Sequence, residues 1–251
     1  MPQEMNIKTD IYQQFRQKTG QIAVLIDPEK TNKEEQLKAI AEKSHFAGIS
    51  YFFIGGSTVN SSDFKQTTAF LKKHSSIPII IFPGGNNQLS KDADGILYLS
   101  LLSGRNPEYL IGQHVASANE VLELGIEVIP TAYILIDGGT KSSVAYVSQT
   151  TPIPLHQQNI AINTAVAGFL QGKKVTYFDA GSGAKNTVPS ELIHSLNEKI
   201  ETVTIVGGGI QSIEEIESLC EVGTNVIVVG NKIENDIDFL LDLKKVQHKH
   251  I

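Results

Sequence analysis

Lys174-Val175-Thr176-Tyr177-Phe178-Asp179-Ala180-Gly181-Ser182-Gly183 opens as a β-branched and aromatic run and ends in a turn of small residues. Such a run reads as a strand, and its glycines mark where the strand stops. Glycine lets the backbone approach a ligand closely and adopt positive φ. Successive N–H groups in such a turn cradle an anion. Asp179 stands at the junction, placed to act on a hydroxyl of the same ligand. The layout recurs downstream. Val206-Gly207-Gly208-Gly209-Ile210 and Val229-Gly230-Asn231 each end an apolar run in glycine and lead into a helical pattern.

Working outward from these three units, short apolar runs alternate with helical patterns along the whole chain. Strands are expected over residues 22–26, 51–54, 77–82, 95–99, 128–134, 175–178, 202–206 and 226–229. Most are apolar without alternation, which suits parallel strands buried on both faces. Helices are expected over 33–43, 62–74, 107–124, 155–171, 189–196, 213–220 and 233–244. Ser212 followed by Glu215 reads as a capping box. Eight strands with intervening helices predict an α/β fold, a (β/α)8 TIM barrel, in a single domain over residues 1–251.

Two stretches depart from the simple repeat. Pro83-Gly84-Gly85-Asn86-Asn87 opens a gap after the third strand that leaves little room for a helix. The sequence predicts a loop or one helical turn there. It is a shortened connection, or an opening in the helical ring where a long ligand lies against the barrel. Residues 137–154 form a long polar stretch after the fifth strand, which reads either as a lid over the mouth or as a plain surface excursion.

Composition narrows the class. The chain has 251 residues, 41% of them hydrophobic, and a net charge of −6, which argues against a nucleic-acid partner. One cysteine, Cys220, excludes an intrachain disulfide framework and reads as a small buried hydrophobe. No apolar run reaches the roughly 18 residues of a membrane span. Gln3, Glu4 and Asp10 make the N-terminus polar, so no signal peptide is expected. A cytoplasmic protein with at most peripheral membrane contact follows.

Barrel enzymes often bind phosphate with the loops after strands seven and eight. The glycine turns at Gly207, Gly208, Gly209 and at Gly230, Asn231 fall there, with Gly181, Ser182 and Gly183 after strand six. Together they predict a phosphate monoester site. Asp27 ends the first strand before Pro28, and Gly55-Gly56-Ser57-Thr58 ends the second. Asp27 is a turn or capping residue, or with Ser57 a magnesium site, since magnesium keeps several waters and takes further ligands from phosphates. His45, His74, His114, His156 and His194 are scattered over helical stretches and read as surface or core residues. No Walker loop or dinucleotide fingerprint is present.

At this point the residues carry a resemblance. Asp27-Pro28-Glu29-Lys30, Gly55-Gly56-Ser57-Thr58 and Leu102-Ser103-Gly104-Arg105-Asn106-Pro107-Glu108-Tyr109 resemble segments of the geranylgeranylglyceryl phosphate synthase family, the PcrB-like phosphoglycerol prenyltransferases. Tyr133-Ile134-Leu135-Ile136, the run from Tyr177 to Gly183, and the two later glycine turns continue it in order. The resemblance implies a modified barrel whose third helix is replaced by a loop. It implies an enzyme that joins the C3 hydroxyl of sn-glycerol 1-phosphate to a polyprenyl diphosphate, geranylgeranyl diphosphate foremost, through an ether bond. It places the glycerol phosphate on Tyr177, Phe178, Asp179, Ala180, Gly181, Ser182, Gly183, Gly207, Gly208, Gly209, Gly230 and Asn231. It places Mg2+ on Asp27 and Ser57, with Asp179 as base and Tyr177 positioning the glycerol. A homo-oligomer is also expected.

Two positions depart from the family. The family usually has Glu where Asp179 stands, and some bacterial relatives have Lys where Leu25 stands. The prenyl groove is expected around Tyr98, Leu101, Leu102, Ala132 and Tyr133, unless these are barrel core. Arg105 pairs with a diphosphate or a carboxylate, or is structural. Two other classes stay open: a barrel enzyme acting on another small phosphate ester, and a non-catalytic phosphate-binding barrel.

Overall fold

The computed structural model describes residues 10–250. Gln3 and Glu4, which carry the signal-peptide expectation, lie outside the described residues. Eight parallel strands pair in chain order and close on themselves: β1 Gln21–Ile26, β2 Tyr51–Ile54, β3 Ile79–Ile81, β4 Gly95–Leu101, β5 Glu127–Leu135, β6 Val175–Asp179, β7 Val203–Gly207 and β8 Val226–Val229. The ring is sealed where Ala23 of β1 pairs with Val228 of β8. Alternate residues serve two cores. Phe53, Leu97, Ile129 and Ile205 fill the barrel interior. Phe52, Ile54, Phe178 and Val206 pack outward beneath the helices. Burial on both faces is why these strands read as apolar runs without alternation. The third strand is shorter than expected, and Pro78, just before it, has no N–H to give to a ladder.

Two helices were not foreseen, one here and one in the long polar stretch. Helix α1, Ile11–Gln17, closes the bottom of the barrel. Ile11 and Phe15 are fully buried in the interior cluster, with the Phe15 ring edge-on to Tyr51 at 4.9 Å. The Glu127 carboxylate, at the start of β5, accepts the N–H of Ile11 at 2.5 Å and of Tyr12 at 3.1 Å. A buried carboxylate thus satisfies helix N–H groups that have no partner within the helix.

Helices α2, Glu34–Ala47, and α3, Ser61–His74, follow β1 and β2. After β3 the chain forms a loop over residues 82–94, as the glycine-rich gap predicts. Gln88 holds it in place. Its amide oxygen accepts the Gly84 N–H at 2.9 Å, and its amide nitrogen donates to the Gly56 carbonyl at 2.7 Å. The loops after β2 and β3 are therefore stitched by one buried side chain.

The helix expected over 107–124 is instead a π-helical turn, Glu108–Gly112, running into α4, Gln113–Leu124. The Gln113 N–H reaches back five residues to the Glu108 carbonyl, and its side chain bonds the Glu108 carboxylate. Helix α5, Ser143–Ser148, forms inside the long polar stretch. Helices α6, Gln158–Leu170, α7, Ser190–Asn197, and α8, Ile213–Glu221, complete the ring, with the Ser212–Glu215 capping box in place. The C-terminal helix expected over 233–244 is two helices, α9, Asn231–Asn235, and α10, Phe239–His250. Asp236 is extended between them and accepts the Asp238 N–H, which ends the first and starts the second.

Phe15 is the largest side chain that α1 gives to the core, so Phe15→Ala is expected to cost about 3–5 kcal/mol of stability. Denaturant melts of the full chain measure this; a loss below about 1 kcal/mol would show that α1 is not an integral floor of the barrel.

Candidate active site

The three glycine turns meet at the C-terminal end of the strands. Asp27, Ser57, Tyr177, Asp179, Ser182, Gly183, Gly208, Gly209, Gly230 and Asn231 line one cavity of about 350 Å³. Not every expected residue faces it. Phe178 and Ala180 point outward into the layer beneath the helices, because side chains alternate along a strand. Gly181 gives its N–H to Asp179 Oδ1 at 2.7 Å and packs against Ser142. It shapes the carboxylate rather than the cradle. Gly207 is a close-approach position: a Cβ there would stand 2.5 Å from the Tyr177 hydroxyl. Gly208 has φ +82°, and its Cβ would stand 2.6 Å from Asp179 Oδ1. The β7 turn must be glycine because the β6 side chains occupy the space above it.

Asn231 orders the turn after β6. Its side-chain oxygen accepts the Ser182 hydroxyl at 2.8 Å and the Gly183 N–H at 3.2 Å. The contact joins the β6 and β8 turns into one wall. Leu25, in place of the lysine of some bacterial relatives, lies under Gly230 and also faces the cavity.

Beside this wall sits a buried cluster. Asp179 Oδ2 accepts the Tyr133 hydroxyl at 2.5 Å. Tyr177 stacks on Phe82 at 5.1 Å, and the Tyr133 ring meets both edge-on, at 5.7 and 5.4 Å. Burial pushes the Asp179 carboxyl above the usual aspartate value, against the pull of the Tyr133 and Gly181 hydrogen bonds. Burial, and then the Asp179 charge, push both phenols well up. Neither tyrosine ionises near neutral pH.

The Asp27 side is more polar. Asp27 Oδ1 accepts the Glu29 N–H at 3.0 Å, and Lys30 Nζ lies 3.8 Å from Oδ2. Lys30 is closer to Glu234, at 3.1 Å. Burial raises the Asp27 carboxyl, and the Glu29 N–H and the Lys30 ammonium only partly oppose it. The whole cavity has Asp27, Glu29, Asp179 and Glu234 facing Lys30 and Lys232, a surplus of carboxylates. Among the described residues no group of three His, Cys, Asp or Glu side chains could hold a metal on protein ligands alone. One under-compensated carboxylate beside a hydroxyl fits a magnesium ion that keeps waters and takes phosphate oxygens. It does not fit zinc.

A second, apolar groove runs from the mouth past the helix-free side of the barrel, over Leu89, Ile96, Leu101, Tyr109 and Val147. Of the groove residues expected, Tyr98, Leu101 and Tyr133 line it. Ala132 is fully buried, and Leu102 packs toward Gly168 of α6. His114, read as surface or core, faces the groove with its ring 4.2 Å from Tyr98. Its Nε2 lies 2.7 Å from the Leu99 carbonyl. Burial lowers its pKa, the Leu99 carbonyl opposes that, and Lys173 adds to it. Helix α5 contributes Val144 and Val147 to the groove, so the stretch over 137–154 packs on the mouth. The Arg105 guanidinium donates to the Leu102 and Gly104 carbonyls and closes its own loop. Phe82 and Gln88 carried no chemical signal in the sequence, and Tyr133 and Lys30 carried only their place in the resembling segments and, for Tyr133, in the expected groove. Only their three-dimensional neighbours give them roles.

The wall around Asn231 gives a direct test of the anion cradle. Asn231→Asp adds a negative charge where the turns meet, so inorganic phosphate is expected to bind at least about tenfold more weakly, by calorimetry. Unchanged affinity would remove the cradle from this wall.

Comparison with known proteins agrees with this geometry. A family model described as the PcrB family matches residues 13–247. The geranylgeranylglyceryl phosphate synthase of Chitinophaga pinensis is 43% identical over 226 residues, covering 90% of this chain and 89% of its own. That of Flavobacterium johnsoniae is 41% identical, covering 94% and 98%. The structure of (S)-3-O-geranylgeranylglyceryl phosphate synthase from Thermoplasma acidophilum in complex with sn-glycerol-1-phosphate superposes with a TM-score of 0.87 at 28% identity, covering 100% and 99% of the two chains. A closed barrel that keeps its strand-six to strand-eight glycine turns and lacks its third helix, matched by one family over nearly its full length, allows one conclusion: the chain belongs to the PcrB family.

Proposed function

We propose that the protein is a prenyltransferase that joins the C3 hydroxyl of sn-glycerol 1-phosphate to a polyprenyl diphosphate, with geranylgeranyl diphosphate as donor, and releases diphosphate. The observation that carries this reading is the shared wall of the two cavities. The polar cavity with its glycine turns and the apolar groove both contain Ser57, Pro83, Gly84, Leu99, Tyr133 and Val144. A hydrophilic acceptor and a long apolar donor can therefore meet at one point. The names of the relatives support the same chemistry.

The glycine turns of β7 and β8 hold the phosphate through backbone N–H groups, with the β6 turn, ordered by Asn231, closing the wall. Tyr177, fixed on Phe82, sets the height of the glycerol above the barrel core. The C3 hydroxyl points at the Asp179 side of the cavity. As the carbon–oxygen bond to diphosphate breaks, the allylic carbon gains cation character. The C3 oxygen supplies the electron pair for the new ether bond, and its proton ends on Asp179. Mg2+, held by Asp27 and Ser57 with waters, would supply positive charge to the departing diphosphate. Lys30, between Asp27 and Glu234, adds a fixed cation on that side. Among the described residues no helix is long and apolar enough to cross a membrane. A cytoplasmic enzyme that meets lipid at a surface suits that observation. Exposed apolar side chains on α4 and α6, such as Val115, Leu122 and Leu170, support a homo-oligomer.

The test is transfer of label. Labelled sn-glycerol 1-phosphate, magnesium and prenyl diphosphates of several lengths are incubated with the protein, and label is expected in the organic extract. Label confined to the aqueous phase for every donor would refute the activity. Asp179→Asn is expected to lower turnover roughly 10²–10⁴-fold while glycerol phosphate still binds. Asp27→Ala is expected to flatten the magnesium titration, and an unchanged titration would remove Asp27 from the metal site. The acid limb of the rate profile has a fixed sign. A base works deprotonated, so activity falls as pH drops through the Asp179 pKa. Burial raises that value, so the fall begins above the ordinary aspartate range.

A further inference from the structure

We propose that Tyr133 is a catalytic residue that relays the proton: its phenol oxygen takes the C3-hydroxyl proton of the glycerol phosphate while its own proton passes to Asp179. This rests on the prenyl-transfer reading above.

The first observation is that both oxygens of Asp179 already accept a hydrogen bond from the protein. Oδ1 is held by the Gly181 N–H at 2.7 Å and faces Gly208, where a Cβ would stand 2.6 Å away. Oδ2 is held by the Tyr133 hydroxyl at 2.5 Å. The second observation is where Tyr133 stands. Parallel pairing sets Tyr133 beside Tyr177 and Leu135 beside Asp179, so Tyr133 and Asp179 are diagonal neighbours on the inward face. Tyr133 borders both the polar cavity and the apolar groove, whereas Tyr177 and Asp179 border only the polar one. Of the side chains on the shared wall, only Ser57 and Tyr133 carry a hydroxyl, and Ser57 belongs to the Asp27 side. The third observation is chemical. A phenol has one proton and two lone pairs. Tyr133 spends its proton on Asp179 and keeps a lone pair for a hydroxyl donor.

The transfer balances without a phenolate. The C3 oxygen bonds to the allylic carbon as the bond to diphosphate breaks, and diphosphate leaves with that electron pair. The C3 proton goes to the Tyr133 oxygen, and the former Tyr133 proton goes to Asp179 Oδ2. Asp179 then loses its proton to water before the next turnover. The apolar surroundings, which hold the phenol proton on, favour concerted passage over a charged tyrosine.

The experiment compares single-turnover rates of wild type, Y133F, D179N, Y133F/D179N and Y133F/D179E, with geranylgeranyl diphosphate, magnesium and labelled sn-glycerol 1-phosphate. Wild type must first give extractable ether product. Its failure to do so refutes the function itself and is distinct from failure of the relay. Y133F is expected to lose roughly 10²–10⁴-fold in rate with little change in KM for glycerol phosphate. The double variant Y133F/D179N is expected to be no slower than D179N, because groups acting as one unit are not additive. Y133F/D179E is expected to recover part of the Y133F loss, because the longer carboxylate reaches into the space left by the phenol oxygen. A wild-type rate in Y133F, multiplied losses in the double variant, or no recovery in Y133F/D179E each overturns the relay. Should Y133F not fold, a proton inventory on wild type decides: a curved dependence on deuterium content supports two protons in flight, and a straight line overturns it.

Discussion

The carboxylate of Asp179 is buried at the end of β6 and must be satisfied by protein groups, and much of the mouth follows from that need. A buried charge left without partners is costly, so two donors are aimed at it. One is the Gly181 N–H, which bends the chain into the turn after β6. The other is the Tyr133 hydroxyl from the neighbouring strand. The carboxylate and the Gly181 backbone leave no space for a side chain at Gly208. The glycine turn after β7 is thus shaped by a hydrogen bond belonging to β6. Tyr133, held in place by the same bond, becomes part of the wall between polar and apolar cavities.

The second constraint is the absence of a helix after β3. A loop over 82–94 exposes the edge of the barrel that a helix would cover, and an apolar groove fills that side. Such a gap needs reinforcement, which Gln88 provides by tying the loops of β2 and β3 together. Phe82, at the start of the same loop, lies over the barrel core and orients Tyr177 and Tyr133. One irregular segment therefore opens the groove and positions the aromatic floor of the polar cavity.

The barrel was legible in the sequence because buried parallel strands leave apolar runs, and glycine turns mark their ends. Asp27 and Asp179 stood out because charge at a strand end is rarely neutral in effect. What was not legible depends on distant pairing. Helix α1 has only two buried residues in seven, and its anchor, Glu127, is over a hundred positions away. Phe178 and Ala180 sat inside the matching motif, yet strand alternation turns them from the ligand. The break at Asp236 turns on a local side-chain bond that periodicity does not report. Tyr133 looked like groove or core, and its hydroxyl partner emerges only from the β5–β6 register.

The two departures from the family pattern have physical counterparts in the mouth. Asp179 is one methylene shorter than the Glu expected there, and its Oδ2 accepts the Tyr133 hydroxyl. Leu25 offers no ammonium to the cavity, and the glycine turns beside it present backbone groups instead. The cation on the opposite side, Lys30, is already shared by Asp27 and Glu234. Two phosphorylated substrates would then enter a cavity whose carboxylates outnumber its ammonium groups. At the low effective dielectric of such a cleft, that repulsion is several kcal/mol per close pair of charges. A divalent cation at Asp27 would relieve that repulsion, and the neutral Tyr133 adds no further negative charge to the cavity. The carboxylate surplus of the mouth thus favours a cation on one side, and the buried phenol leaves the other side without added charge.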